Sequence, residues 1–249
     1  MSVKKILISQ KQPMNMAPFN ALTDKYGVSF TFRPFFMIEP LTSREFRAQR
    51  ISPLDFTAIV FSSRLAIDAF FSLSEELRIK IPETMKYFCT TELVATYLQK
   101  HIVYRKRKIF FGDGTPHSII DQIGQKHKGD NFLITMSTET SNSEVITKLF
   151  DDNNLKYASG MYIKPVIQEL KDLNLSTFDM IVFYNPNDVN SLFANFPDFK
   201  QKNLKFISYG KAIVGAMKEA GLNVAIQVPT DDCPSVASAI DKYLSTDKQ

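Results

Sequence analysis

The residue types that could carry chemistry are concentrated in four short polar turns. Ser62-Ser63-Arg64 follows the apolar run Phe56 to Phe61, and Thr90-Thr91 follows Met85 to Cys89. Asn185-Pro186-Asn187-Asp188 follows Phe178 to Phe183, and Tyr209-Gly210-Lys211-Ala212 follows Leu204 to Ser208. Hydroxyls, amides, a cation and backbone N–H groups at helix starts suit carboxylates or phosphates. The same residues are ordinary helix caps, and the two roles are compatible, because a capping hydroxyl can still face a ligand. The candidate binding set is therefore Ser62, Ser63, Arg64, Thr90, Thr91, Asn185, Asn187, Gly210 and Lys211.

Other chemistries lack their residues. His101, His117 and His127 never fall into H-E-x-x-H spacing, and no G-x-S-x-G elbow occurs. The stretch Gly124 to Gly129 continues with Asp130 and Asn131 where a phosphate loop needs Lys and Ser or Thr, and there is no G-x-G-x-x-G. Cys89 and Cys233 are too few for a disulfide framework or a cysteine-based zinc site and read as small buried hydrophobes. No metal, nucleotide or flavin is indicated, and the expected cofactor set is none. The run Lys100-His101 to Arg105-Lys106-Arg107-Lys108 is the conspicuous basic cluster. Placed between Val103 and Phe110-Phe111, it reads as the solvated face of an edge strand, since Tyr104 alone is too little aromatic surface for nucleic acid.

These turns need elements to hold them. The chain has 249 residues, 44% hydrophobic and 22% charged, with a net charge of +4, which is ordinary for a folded globular protein of two domains. Lys4 and Lys5 precede only Ile6, Leu7 and Ile8 before Ser9, too short for a signal core, and no run approaches the roughly 18 apolar residues of a membrane span. A cytoplasmic location is expected.

Compared with itself, the chain reads twice. Phe56 to Phe61 parallels Phe178 to Phe183, Met85 to Cys89 parallels Leu204 to Ser208, and Ile6 to Ile8 parallels Phe132 to Ile134. Each half closes with a short strand (at Val103, or Val224 to Val228), a turn and a last helix (Ser118 to Gln125, or Ser235 to Tyr243). Strands alternating with helices imply βαβ units, so each half should be a doubly wound α/β domain with a parallel sheet. Phe32 to Pro40 and Gly160 to Val166, with Pro34, Pro40 and Pro165, read as extended crossovers. Two crossovers make one domain discontinuous, residues 1–34 plus 166–249, with residues 38–161 inserted. Ligands of such sheets bind beyond the carboxyl ends of the strands, which here suggests a cleft between the domains closing about a hinge.

With Phe61-Ser62-Ser63, Met161-Tyr162, Tyr209-Gly210-Lys211, Gly221-Leu-Asn-Val-Ala225, Val228-Pro-Thr230 and Ala239-Ile240 in this order, the chain resembles the uroporphyrinogen-III synthase (HemD) family from Ile6 to Leu244. The resemblance implies a cofactor-free, monomeric lyase of tetrapyrrole (heme) biosynthesis. It would close hydroxymethylbilane, a small molecule rich in carboxylates, into a macrocycle with loss of water and inversion of ring D. It also implies that a crossover tyrosine assists departure of the hydroxyl, and Tyr162 stands at the matching place. A phenol near its usual pKa of about 10 is a weak acid, so its removal should slow this step without abolishing it.

Two turns depart from the family pattern. Its Ser-Pro-Ser-Gly has become Asn185-Pro186-Asn187-Asp188, and its Gly-Pro-Thr-Thr-Ala has become Gly210-Lys211-Ala212-Ile213-Val214. Asp188 should bring a negative charge near substrate carboxylates, with Lys211 offsetting it, and Ser137 to Asn142 replaces a loop that is often basic. The alternative reading is a noncatalytic or impaired relative that acts as a hinge-type binding module for a carboxylated tetrapyrrole or another anion. A nucleic-acid binder is the weakest reading.

Overall fold

The computed structural model describes residues 3–137 and 141–246. The chain runs β1 (Lys5–Ile8), α1 (Ala17–Tyr26), β2 (Ser29–Phe32), β3 (Phe36–Pro40), α2 (Ser43–Ala48), β4 (Ala58–Phe61), α3 (Arg64–Glu76), β5 (Lys86–Cys89), α4 (Glu92–Tyr97) and β6 (Ile109–Phe111). It continues through α5 (Pro116–Ile123), β7 (Asn131–Ser137), α6 (Ser141–Asp152), β8 (Lys156–Ile167), β9 (Met180–Phe183), α7 (Pro186–Asn195), β10 (Lys205–Tyr209), α8 (Lys211–Glu219), β11 (Ile226–Val228) and α9 (Val236–Thr246). These elements form two compact units, Met1–Met37 with Val166–Gln249, and Ile38–Pro165. Among the described residues no helix is long and apolar enough to cross a membrane.

The discontinuous unit holds a five-stranded sheet of order β11-β10-β9-β1-β2, parallel throughout. Its centre is β9, Met180-Ile-Val-Phe183, buried at every position as a strand covered on both faces must be. Ile181, Phe183, Leu7 and Phe206 meet Val189 and Leu192 of α7 and Ile213 and Met217 of α8 on one face. Met180, Val182, Ile6 and Ile8 meet Leu22 of α1 and Ile240 of α9 on the other.

The continuous unit carries the order β6-β5-β4-β7-β8 with β3 added beyond β8, and β4 is its wholly buried centre. Its β4-to-β8 ladders are also parallel. Ile59, Phe61 and Leu133 pack under α3 and α4, while Val60, Phe88 and Phe132 pack over α5 and α6. Placed side by side, the two orders match strand for strand, β9 with β4, β10 with β5, β11 with β6, β1 with β7 and β2 with β8. The sequence repeat is therefore a repeat of topology, cyclically permuted. The discontinuous unit begins with the strands that end the other.

One strand differs from expectation. Val103 is 77% exposed and lies outside any strand; the edge strand is β6, at Ile109-Phe110-Phe111. Lys106–Lys108 forms a 3-10 turn before it, so the basic cluster does not alternate along a strand. Its cations are drawn to local acceptors: Lys100 to Asp68 at 2.9 Å, Arg105 to Glu83 at 3.0 Å, and Lys108 to the Glu83 carbonyl. The apolar triplet, with three consecutive residues able to join a ladder, takes the strand position instead.

Candidate functional site

In a parallel sheet every strand delivers its following loop to the same edge, so the polar turns gather at the carboxyl ends of their sheet. In the continuous unit, Ser63 caps α3, its Oγ accepting from the Ala66 N–H at 3.1 Å. Ser62 and Arg64 are exposed, and the Arg64 guanidinium lies 5.5 Å from the centre of the Tyr97 ring. Thr91 caps α4 by accepting from Val94 N–H at 3.2 Å, while Thr90 donates to the Ser62 carbonyl at 3.3 Å and ties the two turns together. Beyond Thr91 an open recess of about 610 Å³ is bordered by Glu92, Asp113 and Asp121. Their charge disfavours anions there and leaves the Ser62 to Arg64 side as the anion-facing part of this edge. Two further recesses sit at amino ends of strands, beside Met85 and Lys205, away from these turns.

In the discontinuous unit, Asn185 caps α7, its Oδ1 accepting from Asn187 N–H at 2.9 Å. Asn187 is only 6% exposed, so a role of meeting ligand directly falls to half-buried Asn185 instead. Gly210 opens α8 at φ +99, a backbone setting that L residues avoid, and offers no side-chain cap. The first-turn N–H groups of α8 thus have no capping side chain, and Lys211 at its first position is exposed.

Asp188 departs from expectation. It is 1% exposed and turned inward, and its Oδ2 accepts from Ser9 Oγ at 2.7 Å, Tyr184 N–H at 2.8 Å and Asn185 N–H at 3.0 Å. Its charge is spent in holding the β9–α7 turn to the end of β1 and does not confront a ligand. Burial pushes its carboxyl up to about 6 against the pull of those three donors. Asp188 Oδ1 and Ser208 Oγ are buried beneath the same loops with no partner.

Tyr162 also departs from expectation. The crossover reading sets its hydroxyl against the leaving group, with a half-buried ring as the alternative, yet the residue is 0% exposed in the core of the continuous unit. Its ring lies 5.0 Å from Phe46 and 5.3 Å from Phe70, its hydroxyl has no partner, and burial raises its pKa. An irregularity in β8 accompanies this: Met136 pairs with Met161 but Ser137 with Ile163, so Tyr162 is the extra residue of a bulge, and it lies buried with Ile163 while Met161 is exposed. Gln49 holds the strand there, accepting from Met161 N–H at 2.7 Å and donating to its carbonyl at 2.8 Å. Replacing Tyr162 with Phe removes a buried unsatisfied hydroxyl and should raise stability by about 1 to 3 kcal/mol in denaturant titration. Unchanged or lower stability would show that the hydroxyl is satisfied in solution.

Sequence reasoning passed over Tyr184 and the ring of Tyr209. Tyr184 follows β9 and Tyr209 ends β10, each one step beyond the paired Phe183 and Ser208, and their ring centres stand 5.2 Å apart. The repeat carried the signal, since it already aligned those two strand ends. The polar loop read at Ser137 to Asn142 falls at 138–140 outside the described residues. Among the described residues no cluster of His, Cys, Asp and Glu could hold a metal ion.

Two doubly wound units of one topology, one inserted in the other, with polar helix starts at the carboxyl ends of their strands, define a class of two-unit α/β proteins. The family model for uroporphyrinogen-III synthase HemD matches residues 17–236, and the chain belongs to that family. Its fold is similar to that of uroporphyrinogen-III synthetase from Helicobacter pylori, with TM-score 0.56, 15% identity, and 98% of this chain and 99% of that one covered. A mutant uroporphyrinogen III synthase from the extremely thermophilic bacterium Thermus thermophilus is similar at TM-score 0.52 and 14% identity, covering 99% and 100%. No curated protein matches the chain in sequence.

Proposed function

We propose that the chain closes hydroxymethylbilane to uroporphyrinogen III, with loss of water and inversion of ring D, as a monomeric cytoplasmic enzyme. The observation that carries this reading is the set of strand-to-helix turns, two in each unit at matching positions, which present Ser62, Ser63 and Arg64, Thr90 and Thr91, Asn185, and Gly210 with Lys211. Such a set suits a ligand with many carboxylates, because helix starts offer N–H groups and positive dipole, with Arg64 and Lys211 adding positive charge. The inward turn of Asp188, held by three donors, keeps its carboxyl out of direct contact with a ligand, which weakens the ground for a noncatalytic binder.

The reaction asks for a donor at the leaving hydroxyl, while the pyrrole nitrogen supplies the electron pair that expels it as water. Exposed loop hydroxyls such as Ser62 are open to such an oxygen, whereas the Tyr162 hydroxyl lies buried, which supports a loop hydroxyl as the donor. Tyr162→Phe is therefore expected to keep turnover within about twofold; a tenfold or greater loss, roughly 1.4 kcal/mol of barrier, would return the donor role to Tyr162.

The test of the function generates hydroxymethylbilane in situ, adds the protein, oxidises the products and separates the uroporphyrin isomers. Spontaneous closure gives isomer I and sets the background. Predominance of isomer III is the expected result. Isomer I alone, from folded protein, would overturn the reading.

A further inference from the structure

Among the described residues, the large hydrophobic side chains that stay exposed include one aromatic, Tyr209, at 40%. An aromatic ring left open at the carboxyl end of a parallel strand stands where ligands of such sheets bind. It does not stand alone. The half-buried Tyr184 ring follows the neighbouring strand, 5.2 Å away and inclined at 32°, too close for two rings side by side, so the pair is a tilted stack whose open face belongs to Tyr209. This geometry is fixed from below. Tyr184 N–H and Asn185 N–H both donate to Asp188 Oδ2, and Ser9 Oγ donates to the same oxygen, so the β9 turn cannot slide against β1. The Tyr209 side is fixed by Gly210, whose N–H donates to the Val228 carbonyl at 2.5 Å.

We infer that Tyr209, backed by the Tyr184 ring, forms a stacking platform for one pyrrole ring of the substrate, a specificity-determining element that rests on the synthase reading above. A pyrrole is a flat, electron-rich ring and stacks on a phenol in an offset or tilted arrangement. Its side chains end in carboxylates. Exposed Lys211 and the uncapped first turn of α8 follow Tyr209 directly and supply the complementary charge at the platform's edge. Asp188 is a positioning residue here, acting through the backbone of Tyr184. The phenol of Tyr184 is pushed up to about 12 by burial, with the neighbouring Tyr209 and Asp188 adding to the rise, so it stays neutral throughout the working pH range.

The experiment compares wild type with Tyr209→Ala, Tyr209→Phe and Tyr184→Ala in two measurements: steady-state formation of isomer III, and fluorescence titration with uroporphyrin I, a stable carboxylated tetrapyrrole. Loss of one aromatic stacking partner corresponds to about tenfold in affinity. The expected result is a rise of that size in both KM and the uroporphyrin Kd for Tyr209→Ala, with kcat changed by less than about threefold and Tyr209→Phe close to wild type. Tyr184→Ala should weaken binding in the same direction. Wild-type KM and Kd in a folded Tyr209→Ala variant that still makes isomer III would overturn the platform and leave the synthase reading intact. A Tyr209→Phe variant as impaired as Tyr209→Ala would also overturn it, since the hydroxyl and not the ring would then be the contact. Absence of both isomer III and uroporphyrin binding in wild type would defeat the synthase reading and the platform with it. Tyr209 is 40% exposed, so the alanine variant leaves the core intact, and a wild-type melting curve verifies this.

Discussion

Asp188→Asn is expected to flatten a pH dependence of stability worth up to about 3 kcal/mol between pH 4 and pH 7. The carboxyl has an ordinary value of 3.8 and is pushed up to about 6 in the fold, chiefly by burial. A group whose folded pKa is raised favours the folded state when protonated. Its contribution is complete below pH 3.8 and is lost as pH rises through 6. About two units at 1.36 kcal/mol each gives the amplitude. Asparagine keeps an oxygen where Ser9 Oγ, Tyr184 N–H and Asn185 N–H converge and cannot ionise, so the variant should hold its stability above pH 6 better than wild type. Asp188→Ala leaves the three donors without their acceptor and should lose about 3 kcal/mol or more at every pH. Denaturant titrations of the three proteins from pH 4 to pH 8 measure both effects. If the difference between wild type and Asp188→Asn were constant over that range, the carboxyl would not titrate there, and its burial in solution would be less than described.

Phe70→Ala is expected to cost the continuous unit about 3 to 5 kcal/mol, the range for a large aromatic deleted from a packed core. Phe70 is 0% exposed in α3 and packs against Phe61 at 5.5 Å, Phe71 at 5.1 Å and Tyr162 at 5.3 Å. The cavity would open where the wall of β4, the inner face of α3 and the crossover side chain meet. Each unit has its own sheet with cores on both faces. The loss should therefore split thermal unfolding into two transitions, the lower belonging to Ile38–Pro165. Calorimetry reads the split directly. A single transition shifted as a whole would mean that the units unfold together.

Local order was open to sequence reasoning because its causes are local. The buried strands announce themselves as Ala58-Ile-Val-Phe61 and Met180-Ile-Val-Phe183, runs with no polar position to turn outward. Ser63, Thr91 and Asn185 cap the next helices through bonds that span two or three residues. The internal repeat needed nothing more than comparison of the chain with itself. Val103 misled because one β-branched residue in a basic run resembles the start of an edge strand. The competing triplet Ile109-Phe110-Phe111 prevailed, since it could bury Ile109 beside Tyr87 while the cations turned to Asp68 and Glu83.

What the sequence by itself determined is the set of parts: the strands β4 and β9, their capped helices, the repeat and the polar turns that end each strand. Only the tertiary structure decided which turns became neighbours and which side chains were left exposed. The inward rotation of Asp188 depends on Ser9, 179 positions away, arriving at the end of the adjacent strand β1. The sealing of Tyr162 goes with the bulge in β8 and with Gln49, 112 positions distant from Met161, which holds the strand there. Tyr184 and Tyr209 meet because β9 and β10 are paired in register. A cap or a strand is specified by residues a few positions apart, whereas partners across a sheet are chosen by which strands lie side by side, and no short window of sequence contains that choice.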